Sequence, residues 1–487
     1  MPIVETRVHT AVPEADQTRD LCAVFLALQS QAQANKALRD ELSAIKHSFS
    51  WRLTAPLRRL RSWLSPPLAP QVAPLQPAMK RSADLVLPDP SELLHRRAAV
   101  AAVAGSATRA APGRRQLLVD VTELARENLG AGVQRVVYRI LAEFLIEPPH
   151  GFRVEPVRLA EDGQYVYARD FLAHMLGLPA TGAGTDVPVT LEAGDQFLGL
   201  DLIRDRAGLA SKVLRAMRVK GVTMSFVVFD LLPLQHPDWF PPGVAARFDE
   251  WLRLVTDCGD RAFCISDVVR EDLRSLIADT GRGSAMVLES FPLGADLDGW
   301  LPPALGLPPI EAGTARLLMV GTLEHRKGHA QALDAFELLW ARGERCDLAI
   351  VGRVGWLVPG LVDRICGHPE FGKRLHWIDD GGDEALLAAY RGSTGLLAPS
   401  WGEGFGLPLV EAAAQGLPIL ARNLPVFRAV AGEGADYFQG DSGEELASAI
   451  HDWLLRWREN RVANPLEVSA SSWRDSAGAL KKLLAKP

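Results

Sequence analysis

Pro399-Ser400-Trp401-Gly402-Glu403-Gly404-Phe405-Gly406-Leu407-Pro408-Leu409-Val410-Glu411-Ala412 follows the apolar run Gly395–Ala398 and leads into a stretch of helix-forming residues. It reads as the turn between a buried strand and a helix. Glycines in such a turn let backbone N–H groups approach a ligand, and the helix N-terminus favours an anion such as phosphate. The amides of Gly404, Phe405, Gly406 and Leu407 are the candidates. Pro408 suits the first helical turn, where a missing N–H costs little. Glu411 is expected in that same turn, where a carboxylate can accept both hydroxyls of a ribose. Glu403 lies in the loop and can address a sugar ring.

A second loop has the same character: Val320-Gly321-Thr322-Leu323-Glu324-His325-Arg326-Lys327-Gly328. It too follows an apolar run, Leu317–Val320. Arg326 and Lys327 offer two fixed positive charges for a diphosphate. Alone, such a pair reads as a solvated surface feature. Its place in the equivalent loop of the same sheet, before Glu403, sets it against that turn at the crevice outside the strand ends.

Apolar strands alternate with helices over most of the chain. Gln116–Val121, Val222–Phe229, Ala262–Ile265, Leu348–Val351 and Leu375–Ile378 read as buried strands, besides the two above. Glu123–Gly132 reads as a loop, Val133–Leu145 as a helix. Continuous apolar strands between helices mean parallel sheets covered on both faces. The proline- and glycine-rich stretch around 300–313 reads as the join between two such sheets. Asp379-Asp380-Gly381-Gly382-Asp383 reads as a turn and helix cap rather than a metal site.

These residues carry a resemblance. The segment from about 314 to 485 resembles the donor domain of a family 4 (group 1) glycosyltransferase of the GT-B fold. Glu403 and Glu411 match that family's paired glutamates, and Arg326-Lys327 its diphosphate site. The resemblance implies an α/β chain with two Rossmann-like, doubly wound domains facing a central cleft. It implies a retaining, metal-independent hexosyl transfer, with the nucleotide-diphosphate sugar a substrate and no cofactor. Front-face attack assisted by the leaving phosphate is the mechanism implied. Relatives of this type suggest mannose from GDP-mannose as donor and a surface glycan (O-antigen, capsule, exopolysaccharide or another part of lipopolysaccharide) as acceptor.

The first half resembles the acceptor side of the same fold. Val119–Thr122 through Gly130, Gly132, Gln134 and Arg135 resembles its first strand, glycine loop and helix. Phe229-Asp230 through His236-Pro237 resembles its inter-domain loop. Relatives often have a histidine immediately before the aspartate, where this chain has Phe229. That leaves the role of Asp230 open, with His236 either a substitute or a structural residue. The helix around Trp473–Leu484 is expected to cross back onto this half. The expected division is therefore 116–300 for the acceptor side, 301–470 for the donor side and 471–487 for the returning helix.

Residues 1–115 carry 16 basic and 9 acidic side chains, the remainder 37 and 50. A basic appendage on an acidic body disfavours a nucleic-acid platform. Leu21, Leu28, Asn35, Leu42 and Phe49, with Val24, Gln31, Leu38 and Ile45, form a heptad over 21–49 that suits a two-stranded homodimer. A single amphipathic helix is the other reading. Residues 50–64 set Arg58, Arg59 and Arg61 against Leu57, Leu60 and Leu64, which suits an anionic membrane surface. Residues 1–65 thus read as an arm, and the proline-rich 66–115 as a linker. The five scattered cysteines, the lack of an apolar leader and the lack of an 18-residue apolar run fit a cytoplasmic, at most peripheral, protein. Two rival readings stay open: a nucleotide-sugar epimerase on the same scaffold, and an inactive scaffold protein.

Overall fold

The structure is a computed structural model that describes residues 115–126, 132–175, 187–283, 285–297, 307–379 and 382–486. The heptad, the basic segment and Gly130 lie outside the described residues. The chain divides into two compact units, Leu85–Leu361 with Arg374–Pro487, and Met1–Asp84 with Val362–Lys373. Both sheets belong to the first. In the described part of the second, the Glu370 amide donates to His368 Nδ1 (3.1 Å).

The first half runs β1 Arg115–Asp120, α1 Thr122–Arg126, α2 Gly132–Ile146, β2 Phe152–Leu159, β3 Tyr165–Tyr167, α3 Arg169–Met175 and β4 Gln196–Gly199. It continues through α4 Ala207–Val219, β5 Thr223–Val228, α5 Leu232–Gln235, α6 Val244–Cys258, β6 Arg261–Cys264, α7 Asp267–Thr280 and β7 Val287–Ser290. Its seven strands are ordered β3-β2-β1-β4-β5-β6-β7, parallel except for the edge strand β3. Part of the stretch read as a loop after β1 is the helix α1. Two aspartates hold its first turn: Asp120, at the end of β1, accepts the Thr122 amide (2.9 Å), and Asp201, from the turn after β4, accepts the Leu124 amide (2.7 Å).

The second half comprises β8 Ala315–Val320, α8 His329–Ala341, β9 Cys346–Val351, α9 Pro359–Cys366, β10 Leu375–Ile378, α10 Gly382–Arg391 and β11 Gly395–Ala398. Then come α11 Leu407–Ala414, β12 Ile419–Arg422, α12 Pro425–Ala431, β13 Asp436–Phe438, α13 Gly443–Arg458 and α14 Trp473–Leu484. Its six strands are all parallel in the order β10-β9-β8-β11-β12-β13. Numbered within the half, that is the 3-2-1-4-5-6 order of a doubly wound nucleotide-binding sheet. The order reverses between β8 and β11, the switch point at which such sheets hold ligands. The loops after these two strands are the two quoted above. β9, β11 and β12 are buried at every residue and β8 at all but its last, as strands covered on both faces must be.

α14 lies on the first half. Its Ser472 and Asp475 form a capping box. The Trp473 amide donates to Asp296 (2.6 Å), and the Ser476 hydroxyl to the Pro292 carbonyl (2.7 Å). Arg261 on β6 donates to the carbonyls of Leu483, Leu484 and Lys486 at its far end. A positive charge at a helix C-terminus opposes the negative end of its dipole.

Candidate active site

Gly406, with φ 102°, is the residue before α11, and Pro408 occupies the first turn of that helix. The left-handed backbone there is one that glycine adopts at little cost. Glu411 is the fifth residue of α11, just beyond the first turn where it was expected, and is 1% exposed. Phe405 is buried in the core, so only its backbone faces the turn's polar groups. Gly404 is packed against the first half. A β-carbon there would lie 2.0 Å from the Phe229 carbonyl oxygen, and the Ser266 hydroxyl donates to the Gly404 carbonyl (2.7 Å). The close approach that this glycine permits is thus to the protein's own backbone.

The loop after β8 meets this turn. Gly321 lies against the Lys327 side chain. Arg326 Nη1 donates to Glu403 Oε2 and to the Gly402 carbonyl, both at 3.0 Å, and its Nε to Glu324 Oε2 at 3.1 Å. Lys327 Nζ donates to Glu403 Oε1 (2.5 Å), which also accepts from Ser400 Oγ (2.8 Å). The Trp401 amide closes the loops together on the Arg326 carbonyl (2.7 Å). Asp230, after β5, accepts the Leu232 amide (3.1 Å) and lies within electrostatic reach of Arg326, Lys327 and Glu403.

Charge balance follows from this packing. Burial alone would raise the Glu403 carboxyl; Lys327 and Arg326, helped by Ser400, outweigh it and hold it at about 2. Burial works against the Arg326 charge too, but Glu403, Glu324 and Asp230 prevail, so its pKa is raised. Glu324 and Asp230 are raised by burial, and Arg326 only partly offsets this. Two cations thus face three carboxyl groups, of which Glu403 is the firmly ionised one. Lys327 has three N–H donors and Arg326 five, so an anionic ligand can share both cations with Glu403, which couples the ligand to that carboxylate.

The sequence reading assigned no role to Glu324 or Ser400, although both stand two or three residues from a site residue. It also passed over His329, the first residue of α8. That ring is 2% exposed, and burial, with Lys327 beside it, pushes its pKa down to about 3, so it is neutral.

The residues expected on the acceptor side divide. Arg135 on α2 reaches Glu411 and Asp383, in the other half. His236 is exposed and stacked on Trp239 (3.8 Å, 8° between planes). Gly132 and Gln134 open α2.

Residues 308–464 match the family Glycosyl transferases group 1. Over that segment the chain is similar to the group 1 glycosyltransferases. It is 36% identical over 381 residues to the serotype-specific mannosyltransferase WbdA of Escherichia coli, across 76% of this chain and 46% of that one. The chain therefore spans less than half the length of these relatives. It is 30% identical over 168 residues to the O-antigen chain mannosyltransferase B of Escherichia coli, across 32% of this chain and 42% of the relative. Among solved structures, Anabaena HepE in complex with UDP and glucose superposes with a TM-score of 0.54 at 13% identity, covering 77% of this chain and all of that one. That likeness, with the two doubly wound sheets, makes the fold GT-B.

Proposed function

We propose that this chain is a retaining glycosyltransferase of group 1 that moves a hexose from a nucleotide-diphosphate sugar to a growing surface glycan. The observation that carries this is the pairing of Arg326 and Lys327 with Glu403 where the loops after β8 and β11 meet. Arg326, Lys327 and the amides of Gly404, Phe405, Gly406 and Leu407 stabilise the charge that develops on the departing diphosphate. Glu403 addresses the sugar, and Glu411 the ribose. Asp230 closes the site from the first half beside the reacting carbon. The bond from the anomeric carbon to the phosphate oxygen breaks as the bond to the acceptor oxygen forms. The acceptor proton goes to the leaving phosphate, so neither a covalent carboxylate intermediate nor a metal ion is required.

Mannose from GDP-mannose is the favoured donor, because the relatives above carry mannosyltransferase names; an O-antigen-type glycan is the favoured acceptor for the same reason. Nothing in those relatives favours the epimerase. The test incubates the full chain with GDP-mannose and a mannose-terminated oligosaccharide, with and without a chelator. A product with the donor's anomeric configuration, formed at the same rate in chelator, is expected. Transfer from UDP-glucose alone would change the sugar assigned. A donor altered without any acceptor would reinstate the epimerase. No transfer from any nucleotide sugar would leave the inactive scaffold.

Among the described residues no helix is long and apolar enough to cross a membrane. On the sequence alone, residues 21–49 are proposed to pair two copies and residues 50–64 to hold them on an anionic membrane beside the acceptor. Truncation at about residue 110 should keep transfer to a water-soluble acceptor and lose sedimentation with anionic vesicles.

A further inference from the structure

The Glu411 carboxylate is held from two directions. Tyr390 on α10, itself buried, donates its hydroxyl to Oε2 (2.7 Å). Arg135 on α2 donates to Oε1. Arg135 also meets Asp383 (3.2 Å), which Arg139 holds in turn (2.8 Å). The first half of the chain therefore completes the surroundings of a carboxylate that belongs to the second.

A carboxylate accepts about four hydrogen bonds, two at each oxygen. Tyr390 and Arg135 take one on each, so each oxygen keeps capacity for one more. Two neighbouring hydroxyls, spaced as on a ribose, need such a pair of acceptors.

We infer that Arg135, together with Tyr390, is a positioning residue for Glu411, holding its carboxylate oriented to accept the ribose hydroxyls of the donor nucleotide. The inference rests on the donor reading above. It makes discrimination between ribose and deoxyribose a property shared by both halves of the chain.

The experiment is calorimetric titration of the full chain with GDP and with 2′,3′-dideoxy-GDP, or with the UDP pair if UDP is the nucleotide that binds. Two hydroxyls bonded to a charged acceptor should favour the ribose form by about 10- to 100-fold in the wild-type chain. Glu411→Gln should erase most of that ratio. Arg135→Gln should erase it similarly, with dideoxynucleotide affinity within about threefold of wild type, since only the hydroxyl contacts are lost. Tyr390→Phe should lower the ratio in the same sense, and it serves if Arg135→Gln does not fold. Arg135→Lys, which keeps the charge without the planar fork, should retain part of it. A wild-type ratio in Arg135→Gln overturns the inference. So does tighter GDP binding, which would make Arg135 a competitor, or an equal loss of both nucleotides, which would make its role structural. If Glu411→Gln keeps the ratio, the ribose role of Glu411 falls instead. If neither GDP nor UDP binds the wild-type chain, the donor reading fails and takes this inference with it.

Discussion

The Phe229 carbonyl oxygen occupies the space that a β-carbon on Gly404 would need. Gly404→Ala must therefore push the glycine turn away from the first half or shift both. A displacement near 1 Å at a reacting centre can cost about 100-fold in rate, and forcing a methyl into this buried contact costs about 1–3 kcal/mol of stability. The variant should lose about that factor in kcat/KM and melt below wild type while still folding; full activity would show that the close packing of turn and strand end is not needed for catalysis. The Lys327–Glu403–Arg326 cluster predicts asymmetric losses. Lys327→Ala or Arg326→Ala removes a preorganised donor and should lower kcat by about 10²–10³. Turnover within a few-fold of wild type for both would remove them from the diphosphate site. Glu403→Gln frees both cations from their anionic partner. It should bind nucleoside diphosphate as tightly as wild type or tighter, yet transfer poorly. Calorimetry beside a transfer assay separates the two effects, and a large loss of nucleotide affinity would contradict the assignment of Glu403 to the sugar.

At the scale of elements, the strand ends of the first half hold buried acids that the proposed chemistry does not use. Asp120, at the end of β1, accepts from the Thr122 amide and hydroxyl and from the Tyr165 hydroxyl, and burial raises it from 3.8 to about 7. Burial raises Asp201, after β4, from 3.8 to about 6. An acid with a raised folded pKa contributes stability that is complete below pH 3.8, is lost as pH rises to the folded value, and is flat above it. His329 has the opposite sign: lowered from 6.5 to about 3, it loses stability as pH falls through that window. The wild-type curve is a sum of these, so the difference between variants is the readout. Asp120→Asn should gain melting temperature relative to wild type as pH goes from 4 to 8; an unchanged difference across that range would mean that Asp120 stays ionised in the fold. These same elements show where sequence legibility ends. β8, β9 and β11 were readable because each is one apolar run. β2 was not, because Arg153, Glu155, Pro156 and Arg158 break its pattern. Its Glu155 is buried only because Arg153 and Arg169 both reach it at 2.6 Å, and Arg169 comes from another element. The site divides likewise. Arg326, Lys327 and Glu403 announce themselves by residue type in two loops, whereas the Arg135–Glu411 pair joins positions 276 residues apart, beyond any local pattern.

For the whole molecule, the returning helix α14 ties the end of the chain to the first half. Trp473, Ala477, Leu480 and Leu484 enter the same core as α2, and each is at most 2% exposed. Fully burying a large apolar side chain is worth about 1.5–3 kcal/mol, so Trp473, Leu480 and Leu484 alone approach the 5–15 kcal/mol that stabilises a typical domain. Arg261 adds its bonds to the last carbonyls, and without α14 its guanidinium loses those acceptors. The second sheet depends on none of these side chains for its own strand pairing. Truncation after Ala470 should therefore destabilise the first half selectively. Limited proteolysis should cut within 115–297 well before 307–464, and transfer should be lost even though Arg326, Lys327, Glu403 and Glu411 are all retained. Trp473→Ala tests the same dependence more gently, since emptying a buried tryptophan site costs about 3–5 kcal/mol. It should give an early unfolding transition by circular dichroism, with the nucleoside diphosphate still binding to and protecting the later one. A single cooperative transition in that variant, shifted as a whole, would mean that the two halves unfold together and that α14 stabilises both.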